Sequence, residues 1–406
     1  MLRGGYSLLV QFGDPAQDWA ESGVMTLTGR ADGPAVLPPG DAATVARMLS
    51  TTIEAATADT RHPVIVDGAA LLAERAAFTG RSRNGSVSVG ASARLLRTRD
   101  TWAVISCARP DDLLLLGAMV EEQLTAETVW QQLASWLTSR PDHAIAERIA
   151  LLGIAGGIVD ERAPAHPPRT HYGQSFRTVQ GALVVDFSAL WAGPLCAQLL
   201  GAAGARIVKV ETPQRPDGAR KGNADFYRLL HGGHESVVLD PLVSSQRDAL
   251  ARLVASADIV IESSRPRALI GFGLDAEHFV SAGAVWVSIT AGGRACERIG
   301  FGDDIAASNG LVARDSRGTP MFVGDAIADP LSGLAAAVAV LTAPADAGGL
   351  LDISMADVIG STVRGAHSER PDVRVQLPRH RVPVGRAPKS GENTESTLLD
   401  LGIELP

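Results

Sequence analysis

Cysteine is scarce in this 406-residue chain, with only Cys107, Cys196 and Cys296, far apart in sequence. An odd number without metal-ligand spacing implies neither a disulfide framework nor a zinc site. Lysine is as rare, limited to Lys209, Lys221 and Lys389, and the preference for arginine reads as coding bias in a GC-rich genome. The nine histidines show no metal spacing either, so no metal is expected. No run of 18 apolar residues occurs, which gives no expectation of a membrane-spanning helix. The stretch Gly4 to Phe12 is too short and polar for a signal peptide, so the expected location is cytoplasmic. No block of like charge exceeds a few residues and the net charge is −8. Both argue against a nucleic-acid binder.

What is present is ordinary for a globular protein: 46% apolar and 20% charged residues, close to the soluble average. The length predicts two or three domains of ~100–200 residues. A polar segment with three prolines, Val159 to His171, reads as a linker, and the linker region is set at 161–180. A second loose region runs from Arg364 to about Asn393 and ends in a short helical tail, Thr394 to Leu401.

Between these regions the pattern alternates strand and helix. Ala182–Phe187 reads as a buried strand, followed by a helix opening at Gly193-Pro194, since proline loses no amide bond at a first helical position. The helix ends at Gly204, and Arg206–Glu211 is the next strand, which makes a βαβ unit with a parallel sheet. Ser236–Asp240, Asp258–Glu262, Ala284–Thr290 and Gly349–Ser354 are further strands, with a helix near 244–256. An apolar helix follows Asp329. The expected fold is α/β, a doubly wound, Rossmann-like large domain at 181–360, with an extended tail at 361–406. Residues 80–160 read as a small α+β domain, with a strand at Thr101–Ala108 and helices at about 111–137, broken near Thr125, and 142–153.

Residues 1–79 contain helical patterns at 43–58 and 65–79. Sliding residues 19–70 by 286 positions lays Pro34–Ala56 over Pro320–Thr342, and Phe12-Gly-Asp14 is similar to Phe301-Gly-Asp303 in a nearby register. This N-terminal part therefore reads as a degenerate copy of the region around Asp329, with Ala43 in place of that aspartate.

The large domain lacks a dinucleotide fingerprint, a Walker loop and a Gly-x-Ser-x-Gly elbow. Its most informative stretch is Phe301–Ser308 with Val323–Gly333, where Asp303, Asp304, Asp325 and Asp329 sit among apolar residues. As a plain structural device, Asp329 before Pro330 is a helix N-cap, and the other three are turn and capping residues. As chemistry, a carboxylate at a helix start beside apolar walls can act as a nucleophile, with amides near enough to steady an oxyanion. His231 and His234, flanking a Gly-Gly turn, read as loop residues.

Val185-Asp-Phe-Ser-Ala-Leu-Trp-Ala-Gly-Pro194 followed by Gly204-Ala-Arg-Ile-Val-Lys-Val-Glu211 resembles the opening of the class III CoA-transferases, the CaiB/BaiF family. Ser236–Asp240, Ala257–Pro266 and Val285–Ile289 continue in the family's order. Gly324–Leu334 is similar to its active-site segment and Ser390–Glu395 to its C-terminal tail. The resemblance implies a CoA-transferase using acyl-CoA and a carboxylic acid acceptor, with Asp329 as catalytic nucleophile. It implies an acyl-aspartyl anhydride and an aspartyl-CoA thioester on the way. The CoA-contacting positions fall on Leu190, Trp191, Leu239, Ser263, Ser264 and Phe272.

The departures from the family carry information. His231–Glu235 replaces a basic stretch, so contacts to the CoA phosphates are expected from Arg220, Lys221, Arg265 and Arg267. Asp303 stands where the racemase branch has a histidine, which weighs against the alternative of an α-methylacyl-CoA racemase. A non-catalytic CoA-binding protein is the other alternative. The family's small domain follows its large domain, whereas here residues 80–160 precede it, so the order looks permuted. A homodimer, interlocked in the family, is the expected assembly. The aromatic-poor surroundings of the aspartates suit an aliphatic acyl group.

Overall fold

The computed structural model describes residues 13–159, 176–345, 347–363 and 374–404. Most of the linker expected at 161–180 lies outside the described residues, as do Phe12 and positions 364–373 of the loose region. The chain opens with four helices, α1 (Pro15–Ser22), α2 (Ala42–Thr57), α3 (Gly68–Leu71) and α4 (Glu74–Thr79). The single helix expected at 65–79 is thus two short ones after an extended stretch. Asp67 caps α3 by accepting the amides of Ala69 and Ala70, which starts a helix three residues later than apolar periodicity alone suggests.

A three-stranded antiparallel sheet follows, β1 (Ala93–Arg97), β2 (Trp102–Ser106) and, after three helices, β3 (Gly156–Ile158). The helices are α5 (Asp112–Val120), α6 (Val129–Thr138) and α7 (Asp142–Leu152). The break near Thr125 is real and wide: Glu121 takes a left-handed conformation and ends α5.

The large unit alternates throughout: β4 (Leu183–Asp186), α8 (Ala192–Ala202), β5 (Arg206–Glu211), α9 (Ala224–His231), β6 (Glu235–Val238), α10 (Ser244–Ala255) and β7 (Ile259–Glu262). It continues with α11 (Pro266–Ile270), α12 (Ala276–Ser281), β8 (Val285–Thr290), α13 (Gly302–Ser308), the hairpin β9 (Val312–Arg314) and β10 (Pro320–Phe322), and α14 (Ala328–Leu341). The last elements are β11 (Gly349–Ser354), α15 (Met355–Gly360) and α16 (Thr394–Asp400). The large sheet has the order β11-β8-β7-β4-β5-β6, parallel throughout. The fold is therefore mixed α/β with a doubly wound parallel sheet, as expected. Helix α8 starts at Ala192, so Pro194 is its third residue; its missing amide still falls in the first turn, where no helical partner exists.

The sheet is covered on both faces, which its alternating side chains show directly. Val184 packs with α2, α8 and α14 on one face, while Leu183 and Val185 pack with α10, α12 and α16 on the other. Strand order reverses between β4 and β7, and ligands of such sheets bind outside the carboxyl ends of the strands at that reversal. The loops that meet there are Phe187–Trp191 and Ser263–Pro266.

Candidate active site

The loop after β4 is held rigidly by a buried ion pair. Lys209 of β5 and Asp217 are both almost completely buried and lie 2.9 Å apart. Lys209 Nζ donates to the Ser188 carbonyl at 2.8 Å, and the Leu190 amide donates to Asp217 Oδ1 at 3.1 Å. The Ala189 amide donates to Ser263 Oγ across the strand reversal. Asp217 Oδ1 also accepts the Ala219 amide at 2.9 Å, so the buried pair ties the loop after β4 to the segment at 217–221. Leu190 is held there at φ 70° and remains exposed, an unusual state for a branched side chain.

The residues expected to contact CoA are thus only partly gathered. Leu190, Ser263, Ser264 and Arg265 sit at the strand reversal. Trp191 is next to them but turns inward: it is buried, edge-on to Phe226 at 5.2 Å. Leu239 is buried at the end of β6 and Phe272 packs against the α10–α12 face. Arg220 is committed, forked onto Glu211 and stacked over Tyr227 at 4.9 Å, while Lys221 stays exposed. Arg265 lies near Arg267, Arg109 and Arg215, and burial together with these guanidiniums lowers its affinity for a proton. Arg109 and Arg215 were not anticipated; Arg109 is committed to buried Asp112 and the Gly153 carbonyl, and Arg265 and Arg267 face Glu297. His231 is no loop residue: it ends α9, fully buried against Tyr227, and burial keeps its imidazole neutral.

The four aspartates form the second half of the site. Asp329 is the second residue of α14, not its cap; Ile327 holds the cap position without a side-chain bond. The preceding turn is strained at Ala326, whose φ is 48°. Asp303 Oδ1 accepts the Ala326 amide at 2.8 Å. Asp304 accepts the Phe301 amide at 2.9 Å at the start of α13 and also accepts Ser106 Oγ of β2 at 2.7 Å. Asp325 is gripped by Arg75 of α4 through a fork, Nε to Oδ2 at 2.8 Å and Nη2 to Oδ1 at 2.5 Å. The Arg75 guanidinium also lies 5.0 Å from the Trp191 ring.

Crowded, weakly solvated carboxylates resist ionisation. Burial pushes Asp329 up to about 7, with Arg75 opposing the rise and Asp303, Asp304 and Asp325 adding to it. Burial and then the Asp325 charge push Asp303 up to about 7 as well. Burial lifts Asp304 to about 6 against Ser106 and Arg298. Asp329 nevertheless keeps part of its surface open. A Cβ on Gly302 would collide with the Ala326 carbonyl and lie 2.8 Å from Asp329 Oδ2. Glycine at the head of α13 therefore lets the Ala326 carbonyl and the Asp329 carboxylate approach its backbone closely. Arg75, Ser106 and Gly302 were missed from sequence; the adjacent charges Glu74 and Arg75 inside the apolar run 68–78 were the readable signal for the first. Among the described residues no cluster of histidine, cysteine, aspartate or glutamate could hold a metal ion.

Comparison with known proteins gives this geometry a setting. The sequence profile described as CoA-transferase family III matches residues 179–383, half of the chain. Succinyl-CoA–D-citramalate CoA-transferase of Chloroflexus aurantiacus is 29% identical over 182 residues, 40% of this chain and 45% of the relative. Succinate–glutarate CoA-transferase of Agrobacterium fabrum is 26% identical over 227 residues, 48% of this chain and 57% of the relative. A CaiB/BaiF family protein from Brucella suis, solved by crystallography, is 28% identical, with 46% of this chain and 55% of that one covered and a TM-score of 0.41. The chain spans about half the length of the curated relatives it matches.

Proposed function

We propose that this chain, which belongs to CoA-transferase family III, moves coenzyme A from an acyl-CoA to a carboxylic acid with Asp329 as the nucleophile. The observation that carries the reading is the Asp329 carboxylate itself: partly open, packed close to the Gly302 backbone, and pushed up to about 7 by burial. A carboxylate of raised basicity is a better nucleophile once ionised.

In the proposed sequence Asp329 attacks the thioester carbonyl, the C–S bond breaks, and an acyl-aspartyl anhydride forms with CoA thiolate released. The thiolate attacks the aspartyl carbonyl, which frees the first carboxylic acid and leaves an aspartyl-CoA thioester. The acceptor carboxylate repeats the first attack on that thioester, forming a new anhydride and thiolate. Attack of the thiolate on the acceptor's carbonyl then yields the new acyl-CoA and restores Asp329. Each step exchanges one oxygen or sulfur nucleophile for another, so only charge has to be managed. Arg215, together with Arg265 and Arg267 once they exchange Glu297 for the ligand, is proposed to meet the CoA phosphates. Coenzyme A is here a substrate. The proposed assembly is a homodimer in the cytoplasm, on the family likeness, although the groups around Asp329 all come from one chain. The small unit at 80–159 and the large unit are proposed to act as separate domains that meet at Asp304 and Ser106.

The test is trapping with hydroxylamine. Purified protein is incubated with acyl-CoA donors, including the succinyl, glutaryl and formyl thioesters suggested by the relatives, and peptides are read by mass spectrometry. A hydroxamate at Asp329, absent from Asp329→Ala, is expected. No modification in protein that binds CoA would replace this reading with the racemase or the non-catalytic one.

A further inference from the structure

We infer that Arg75 is a positioning residue for Asp329, reaching the site from the N-terminal helices to set the charge and placement of the carboxylate. The Arg75–Asp325 fork joins residues 250 positions apart. It is the stronger of two ties between the N-terminal unit and the turn before α14. The other is Thr28, whose hydroxyl accepts the Gly324 amide at 3.2 Å. Between these ties and Asp329 lies the strained Ala326, and Asp303 holds its amide. The turn is thus anchored from α4, from the Thr28 segment and from α13, and these anchors set where α14, and with it the Asp329 backbone, begins.

The electrostatics follow the same connection. The charged groups facing Asp329 are Arg75 from α4, Asp303 and Asp304 from α13, and Asp325 from the turn. Arg298 faces Asp304. Arg75 is therefore the cation that answers Asp325, Asp303 and Asp329 itself, while Arg298 answers Asp304. Burial disfavours its charge, but Asp325, Asp303 and Asp329 outweigh burial and keep the guanidinium protonated. Loss of that cation leaves Asp325 uncompensated as well as removing attraction from Asp329. Both effects raise the pH at which Asp329 ionises.

The inference rests on the proposed role of Asp329, and its test is chosen to need no turnover. Asp329 is labelled in the full-length protein with a water-soluble carbodiimide across pH, and the modified peptide is quantified by mass spectrometry. The wild-type midpoint is expected near 7. Arg75→Gln should move it upward by about one unit or more, whereas Arg75→Lys should stay within about half a unit because the charge is kept and only the fork is lost. Asp325→Asn should move it downward, and Arg75→Gln combined with Asp325→Asn should return part of the way. A merely structural role would lower thermal stability without this order. An unchanged midpoint in Arg75→Gln, or an Arg75→Lys midpoint displaced as far, overturns the inference. Should Arg75→Gln not fold, Asp325→Asn decides: a downward shift supports the inference and an unchanged midpoint overturns it. A wild-type protein that shows these midpoints but no hydroxamate at Asp329 refutes the transferase reading and leaves the positioning role standing.

Discussion

The α1–α2 region and the α13–α14 region repeat one arrangement with opposite consequences. Helices α2 and α14 begin at residues 42 and 328, which are 286 apart. At that offset Asp18 matches Asp304, Ser22 matches Ser308 and Ala43 matches Asp329. Ser22 and Ser308 both bond back into their own short helix. The correspondence supports the proposal that the N-terminal unit is a degenerate copy. In the first region buried Asp18 receives the Thr44 hydroxyl and Arg47 Nη1, so its charge is answered locally. In the second, the position of Arg47 is occupied by Gly333, where a Cβ would lie 2.6 Å from the Ala192 carbonyl of α8. Close packing of α14 on α8 leaves no room for a side chain at that position, and the cations that face the aspartates come from elsewhere, Arg75 of α4 and Arg298. On the proposed reading, the first region holds its acid in a local ion pair, whereas the second gathers four acids, Asp329 among them, and raises three of them.

Mirrored substitutions are the strongest way to break this comparison. Asp329→Ala should reduce exchange of label between CoA and acyl-CoA by about 10³-fold or more. The same change should stabilise the protein at alkaline pH. Because the folded state holds a proton on Asp329 up to about 7 that the unfolded state loses near 4, stability falls as pH rises through that window. The melting temperature of Asp329→Ala should therefore exceed wild type more at pH 8 than at pH 4. Ala43→Asp, at a fully buried position, should cost about 3–5 kcal/mol in urea unfolding and give no second trapped site. Equal melting curves for both variants would erase the distinction.

Much of the contrast was legible in sequence, and the rest was hidden for identifiable reasons. The inner strands β4, β7 and β8 are near-continuous apolar runs buried on both faces and could be read directly, and β5 was legible despite Lys209. Asp329 stood out from its Asp-Pro context and family resemblance. Arg75 did not, because its partner Asp325 is brought close only when α4 packs beside the turn. Leu239 was misleading for the opposite reason: position along the chain places it at a strand end, while burial removes it from the crevice. His231 and His234 were read as loop residues flanking the Gly232-Gly233 turn; the turn and His234 are as read, whereas His231 is the last residue of α9.

Smaller changes sharpen the comparison. Arg47→Ala leaves Asp18 buried without its guanidinium and should cost about 2 kcal/mol, below the value for a fully buried pair because Arg47 is about one third exposed. Its trapping yield at Asp329 should be unchanged, which tests whether the two regions are energetically separate; a large loss of yield would show that they are not. Gly333→Ala should cost about 1–3 kcal/mol through forced separation of α14 from α8, read again by urea unfolding. A neutral result would mean that α14 has slack and that the lack of a cation there has another origin.

The subtlest comparison lies in the turns that lead into the two helices. Gly40 precedes α2 with φ 72°, and the matching residue before α14 is Ala326 with φ 48°. Glycine occupies that region freely, whereas an alanine there carries strain of about 1 kcal/mol. Ala326→Gly should relieve it but widen the unfolded ensemble, for a net gain of about 0.5 kcal/mol. The amide that Asp303 holds would then be less firmly aimed, and the turn that sets Asp329 would sample more conformations. Trapping at Asp329 should fall a few-fold while stability rises, the reverse of what a simple packing defect gives. If Ala326→Gly lowers both together, the positive φ is an accident of packing. If both rise, the turn does not position the nucleophile, and the contrast between the two regions rests on charge alone.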